Sequence, residues 1–346
     1  MTGRTTIGIT GDGFTIDGRP TYEGRRWGAR KIEGLLLNSR MANAVIDDVN
    51  PATRGVWAYA DGPWDADRST REFVAALPSY RAHGLLAVSV NLQGGSPQGY
   101  SWNHPWVTTG FAADGALKPD YARRILDVLR ATDALGMAVI LGCFYGRQTG
   151  HLADEAACLR AVDEVVELLV AQDCRNALIE IGNEVDLPWF AHDVIAASRG
   201  HEMIKRVKER SSGRLRTPAG RLLASTSFAG GAAPPDNVVA EADYLLLHGN
   251  HVESPEGIRR MVRETRARAT YRGQPVAFNE DDHYDFHLPD NNMRAAVDSY
   301  ASWGFFDYRR IPEKYPDGFQ SLPVDWGINS FRKRAFFGYL KEITGV

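Results

Sequence analysis

The chain of 346 residues is 44% hydrophobic and 24% charged, a balance that supports a sizeable buried core and excludes a disordered polypeptide. Its formal charge of −3 and pI near 6.3 offer no general attraction to phosphate backbones or anionic lipid, so neither a nucleic-acid nor a membrane partner is expected. Cys143, Cys158 and Cys174 are odd in number and lie in or near apolar runs without zinc-site or disulfide spacing, which predicts buried free thiols.

The first element, residues 14–24, alternates around Asp17-Gly18, a dipeptide suited to a tight turn, and predicts an N-terminal β-hairpin. Short apolar runs follow at 34–37, 84–90, 137–141 and 177–181, the pattern of fully buried parallel strands. Between them the period changes. Ala122, Ile125, Leu126 and Leu129 share one helical face, with Gly136 placed to end the helix, and Cys158, Val162, Val165, Val166 and Leu169 repeat the pattern. Residues 222–226, 244–247, 275–278 and 304–306 add four strands, making eight after the hairpin. Ser254 and Pro255 fit the N-cap and first position of a helix carrying Ile258, Met261 and Val262. The arginines from Arg259 to Arg268 read as that helix's solvated face, and the last helix is expected over 329–343.

Eight strands alternating with helices, without a Pro/Ser/Gly-rich linker or an internal repeat, predict the α/β class. The architecture expected is a single (β/α)8 TIM barrel over 1–346, with 1–30 as hairpin and lead-in; a doubly wound open sheet is the alternative. No run approaches transmembrane length and the amino terminus lacks the apolar centre of a signal peptide, so a cytoplasmic location is expected.

In such a barrel, functional groups follow the carboxyl ends of the strands. Asn38, Asn91, Tyr145, Asn183 with Glu184, His248 with Asn250, Glu280 and Asp307 occupy those positions on seven of the eight predicted strands. Glu184, in Ile-Glu-Ile-Gly-Asn-Glu-Val-Asp, and Glu280, in Pro-Val-Ala-Phe-Asn-Glu-Asp-Asp, each follow Asn at the end of an apolar run. A carboxylate there loses solvation unless it is paired or faces a cavity. The two stand about three βα units apart, consistent with facing each other across a barrel mouth. Cleavage of a glycosidic bond needs two such groups, one to protonate the leaving oxygen and one to attack or stabilise the anomeric carbon. That chemistry requires no metal or organic cofactor, and none is expected.

The chain resembles glycoside hydrolase clan A, the cellulase-like retaining (β/α)8 glycosidases. Gly182-Asn183-Glu184 matches the clan's Asn-Glu pair after strand four, and Phe278-Asn279-Glu280 its glutamate after strand seven. The early Phe-Thr-Ile-Asp-Gly-Arg-Pro is similar to the hairpin that precedes these barrels. The resemblance implies a carbohydrate substrate, Glu184 as general acid/base, Glu280 as nucleophile, and Asn183 as partner of the hydroxyl beside the anomeric carbon. His248 agrees by position, where clan members place a Tyr or His near the nucleophile. At strand eight the chain has Gly-Phe-Phe-Asp-Tyr where many members carry a tryptophan; Trp303 precedes the strand.

The remaining candidates have two readings each. The long connection 93–118 carries Tyr100, Trp102, His104, Trp106 and Phe111, and with Trp57, Tyr59 and Trp64 these aromatics either stack on sugar rings or pack loops onto the barrel. The run Asp281, Asp282, His283, Asp285 and His287 invites a metal reading, but loop aspartates commonly cap turns, and Asp282 or His283 could instead bond substrate hydroxyls or Glu280. Glu180 is expected as a barrel-interior or helix-facing ion pair. The expected substrate-binding set is Asn183, His248, Asn91, Tyr145, Asn250, Trp102, Trp106, Asp282, His283 and Asp307. A non-hydrolytic carbohydrate-binding barrel and a metal-dependent lyase or isomerase using the 281–287 run remain as alternatives.

Overall fold

The amino-terminal strands Ile7–Thr10, Gly13–Ile16 and Arg19–Pro20 form an antiparallel three-stranded sheet in a computed structural model that describes residues 3–94 and 105–346. Asp17 and Gly18 make its second turn with φ of 54° and 79°, the paired positive values that favour this dipeptide in hairpins. The expected hairpin is present, with one further strand in front of it.

Eight parallel strands follow: β1 (Asn38–Arg40), β2 (Ala87–Asn91), β3 (Ala138–Tyr145), β4 (Ala177–Asn183), β5 (Leu223–Ser225), β6 (Leu245–His248), β7 (Val276–Glu280) and β8 (Gly304–Phe305). Six form one ladder in the order β5-β4-β3-β2-β1-β8, and β6 pairs with β7. Parallel bridges Ala277–Ser302 and Asp281–Phe305 join β7 to the β8 region, and the Asp243 N–H donates to the Ala224 carbonyl between β5 and β6. Eight helices alternate with these strands among the described residues: α1 (Ala66–Ala82), α2 (Pro119–Ala134), α3 (Glu155–Ala171), α4 (Gly200–Ser211), α5 (Asp236–Glu241), α6 (Pro255–Arg266), α7 (Asn292–Asp298) and α8 (Phe331–Thr344). The architecture is the (β/α)8 barrel.

The predicted helix ends hold where local chemistry is strong. Ser254 accepts from the Gly257 N–H ahead of Pro255, and Gly136, at φ 68°, follows α2. The arginines of α6 lie on its outer side, where Arg259 meets Asp290 and Arg263 meets Glu256. All three cysteines are buried free thiols. No helix among the described residues is long and apolar enough to cross a membrane.

The first strand corrects the reading most. The apolar residues 35–37 are buried lead-in, and β1 comprises the polar Asn38, Ser39 and Arg40, all buried. Alternation explains why. Leu36, Ala87, Ala138, Ile140, Leu178, Leu223, Tyr244, Leu246 and Ala277 form one small apolar cluster with Ile7 and Phe14 of the hairpin, whereas Val88, Val139, Leu141, Ile179, Ile181, Leu245 and Leu247 belong to the larger core that includes the helices. The first set fills the barrel and is plugged from below by Phe14, whose ring lies 6.0 Å from Tyr244. Two residues further along the same interior rows stand Asn38, Glu180, His248 and Asn279, and after them Arg40 and Gly182. The barrel interior therefore changes from apolar to polar towards its carboxyl end, and the polar layer is the floor of a cavity.

Candidate active site

Glu180, fully buried in β4, anchors that polar layer. Its carboxylate accepts from Ser227 Oγ at 2.5 Å and Asn279 Nδ2 at 3.2 Å, and lies 3.8 Å from Arg40. The expected interior ion pair is thus formed. Arg40 then reaches upward: its Nε lies 2.6 Å from Glu280 Oε2, and another of its nitrogens donates to Asn183 Oδ1. The other oxygen of Glu280 accepts from Asn250 Nδ2.

Two backbone irregularities bring Glu184 and Glu280 onto this floor. Glu184 directly follows β4 with φ of 57°, an unfavourable region for a side chain with a Cβ, and its N–H donates to Ser227 Oγ at 3.2 Å. Strain of this kind persists where surroundings over-determine it and is concentrated at functional sites. On β7 the register with β6 shifts between Leu247 and His248, so His248 pairs with Glu280 while Leu247 pairs with Phe278. In a regular strand Asn279 and Glu280 would point to opposite faces. The bulge allows Asn279 to bond Glu180 while Glu280 meets Arg40 and Asn250.

His248 joins the pair from β6. Its Nδ1 shares a hydrogen bond with Glu184 Oε1 at 2.9 Å and stands 3.8 Å from Glu280 Oε2. Burial lowers the imidazole pKa, but the charge of Glu280 with the bond and charge of Glu184 outweigh it, and the net shift is upward. One ligand-type atom from each of Glu184, His248 and Glu280 falls within 4.8 Å of the others, so the carboxylates converge. That trio has the donor types of a metal site, yet Arg40 already supplies Glu280 with a positive partner.

A cavity of about 360 Å³ opens above this floor. Tyr145, Asn183, Glu184, Asn250, Glu280 and Asp282, all expected site residues, line it. His248 supports the floor from beneath. Burial pushes the Asp282 carboxyl above its ordinary value despite the opposing influence of His283, with Arg310 3.6 Å away.

Besides His248, four expected substrate-binding residues stand off the cavity wall. Asn91 is buried at the end of β2, where a Cβ on Gly142 would approach its Oδ1 to 2.3 Å. Trp106 packs edge-on to Trp57 at 6.4 Å within the aromatic group that also holds Tyr59 and Trp64, so these four rings are core rather than platform. His283 is turned to Asp281 Oδ1 at 2.7 Å, and that bond heads the causes that raise its pKa. Asp307 is fully buried and accepts from Arg332 Nε at 2.8 Å. Trp102, with Tyr100 and His104, lies outside the described residues.

Within the acidic run after Glu280, Asp281 is architectural. Asp281 accepts from Trp303 Nε1 at 2.8 Å and from Asn292 Nδ2 at 3.1 Å, besides its contact with His283, although Asp281, Asp282 and His283 also present ligand-type atoms within 4.8 Å of one another. Trp303, before β8, is a buried support of this turn.

Arg40 beneath the cavity, and several residues that line it, carry no signal in an apolar run: the run ends at Leu37, just ahead of β1, and the alternation Leu36, Asn38, Arg40 is the pattern that reveals Arg40. Trp189, five positions after Glu184, and Arg147, just past β3, form one side of the cavity, and Phe306 and Tyr308 after β8 form another. The latter rings occupy the strand-eight region where the expected tryptophan is missing.

No protein-family model matches the chain, and none of the curated proteins does. Solved structures do. The endo-1,4-beta-mannanase from Rhizomucor miehei aligns with 99% of this chain and 100% of its own at TM-score 0.58 and 11% identity. The beta-mannanase from the blue mussel Mytilus edulis aligns with 98% and 96% at 0.52 and 12%. A glycoside hydrolase family 5 structure from Bacteroides vulgatus ATCC 8482 aligns with 92% of this chain and 66% of its own at 0.55 and 14%; the chain spans 60% of another protein from that organism. At these identities the likeness establishes the fold, the same (β/α)8 barrel reached from the strand order.

Proposed function

We propose that the protein is a glycoside hydrolase that cleaves a carbohydrate by double displacement, with Glu280 as nucleophile and Glu184 as general acid/base. The observation that carries this reading is the convergence of the two carboxylates within 4.8 Å at the carboxyl ends of β4 and β7, under an open cavity. Retaining enzymes hold their carboxyl groups roughly 5 Å apart, close enough for direct attack on the anomeric carbon, whereas inverting enzymes leave room for a water. The glycoside hydrolases among the structures of the same fold support the choice of reaction class.

Each neighbouring group has a part in this chemistry. Arg40 and Asn250 hold both oxygens of Glu280, fixing the direction of attack and offsetting its charge. Glu184 gives a proton to the leaving oxygen; in the second step it takes one from water as the bond between Glu280 and the sugar is hydrolysed. His248 fixes the position of Glu184 through its 2.9 Å bond. Arg40 engages the oxygen of Asn183, which leaves the Asn183 amide N–H groups to reach the hydroxyl beside the anomeric carbon.

The test is a panel of aryl glycosides and oligosaccharides assayed with the unaltered protein, Glu184→Gln and Glu280→Gln. Turnover with retention of anomeric configuration, followed by NMR of the first-formed product, is expected from the unaltered chain. Binding of sugars without turnover across the panel would favour a non-hydrolytic barrel, and full activity in Glu280→Gln would remove the assignment.

A further inference from the structure

We propose that Arg147 and Trp189 form a cationic subsite beside Glu184 that binds an anionic substituent, a carboxylate or a sulfate, on the sugar held there. The proposal rests on the glycosidase reading of the same cavity and specifies its substrate class as acidic glycosides.

Charge matching within the cavity is the first ground. Glu280 is paired with Arg40, Glu184 with His248, and Asp282 with Arg310 and His283. Arg147 is different. It lines the cavity, is exposed, and has no carboxylate within salt-bridge distance among the described residues. The residues outside the description, 1–2 and 95–104, contain neither Asp nor Glu, so they offer no acidic side chain. Most arginines on the outer surface of this protein are instead paired, as Arg199 is with Glu155 and Glu202, and Arg214 with Glu167.

Preorganisation is the second ground. The Arg147 guanidinium carbon lies 4.5 Å from the centre of the Trp189 ring, a cation–π contact that restrains a flexible side chain. The segments carrying both residues are braced. Gly146 lies so close to Trp189 that an added Cβ would come within 3.3 Å of the indole's Cβ, and the Ala191 N–H donates to Thr149 Oγ1 at 3.0 Å. His192 Nε2 is bonded to the Leu152 carbonyl at 3.0 Å. A guanidinium laid on an aromatic face keeps its N–H edge free, and that planar fork fits two oxygens of one carboxylate or sulfate. Trp189 and Glu184 leave the same strand end, so the anion would belong to the sugar unit nearest the acid/base.

Binding measured by NMR titration tests this without requiring turnover. The probes are glucuronic acid, galacturonic acid and the 6-sulfates of glucose and galactose, each against its neutral parent, with the unaltered chain, Arg147→Ala and Arg147→Lys. At least one acidic sugar is expected to bind about tenfold more tightly than its parent, the scale of a charge-assisted hydrogen bond. That preference should weaken with added salt, fall to near unity in Arg147→Ala, and survive in part in Arg147→Lys. Whether uronic acids or sulfates show it identifies the anion. Equal or weaker binding of every acidic sugar relative to its parent, or an undiminished preference in Arg147→Ala, would overturn the proposal. Loss of hydrolysis with the acid preference intact would instead fault the catalytic reading.

Discussion

Two acidic clusters sit side by side at the carboxyl end of this barrel and differ in what their oxygens face. Glu184, His248 and Glu280 form one; Asp281, Asp282 and His283 form the other, and each brings three ligand-type atoms within 4.8 Å. In the first, Glu184 and Glu280 are held by His248, Arg40 and Asn250 and border the cavity. In the second, Asp282 also borders the cavity, but Asp281 is enclosed by Trp303, Asn292 and His283. In the proposed reading the consecutive carboxylates Glu280 and Asp281 have opposite uses. Residue type and density of charge do not separate chemistry from scaffolding; access to the cavity does.

The sharpest way to break this comparison is to neutralise each neighbour in turn. Glu280→Gln is expected to lower kcat by more than about 10³-fold with folding intact, since it removes the proposed nucleophile. Asp281→Asn is expected to leave kcat within a few-fold and to cost about 1–3 kcal/mol of stability, because the buried Trp303 and the half-buried His283 lose an acceptor. Steady-state rates and urea midpoints measured on both variants decide the matter. A stable but inactive Asp281→Asn would mean the second cluster also acts in the reaction.

Arg40→Met probes what the first cluster requires underneath. The substitution leaves Glu180 and Glu280 buried without the guanidinium that stands between them, and breaking a buried pair from one side costs about 3–5 kcal/mol. Stability and activity should fall together, in contrast to Glu280→Gln. Denaturant unfolding followed by circular dichroism checks the first, and rates on folded protein check the second. A variant as stable as the parent would show that Arg40 serves the reaction alone.

Much of this was legible in the residues. The strand-helix alternation specified the barrel, and Asn183-Glu184 and Asn279-Glu280 stood out because a carboxylate at the end of a buried run needs a reason to be there. What stayed hidden has a common cause. Arg40 sits in a polar strand that lines the upper barrel interior, beyond the end of the apolar run, so hydrophobic patterning reaches Asn38 at the end of that run and not Arg40. The aromatic residues misled in the other direction: Trp57 and Trp106 read equally well as platforms or packing, and only their burial assigns them to the core. Arg147 and Trp189 meet through loops after different strands, a juxtaposition no local pattern records.

Asp307 supplies the smallest test of the same contrast, as a carboxylate at a strand end that belongs to the scaffold. Burial raises its pKa from 3.8 to about 6, with Arg332 opposing the rise. The folded state therefore holds this proton more tightly than the unfolded chain does. Its contribution to stability is fully present below pH 3.8 and is lost as pH rises through about 6, because the folded state must then bury the charge. Asn cannot titrate, and Arg332 keeps Glu313 as a partner in Asp307→Asn. The difference in unfolding free energy between parent and variant should shift in the variant's favour as pH rises across that interval, and should level off above it. Urea midpoints at closely spaced pH values would reveal this, with the rate on any substrate unchanged because the side chain stands off the cavity. A difference that stays flat across the interval would show that Asp307 is ionised in the folded protein throughout, held so by Arg332 against the burial that surrounds it.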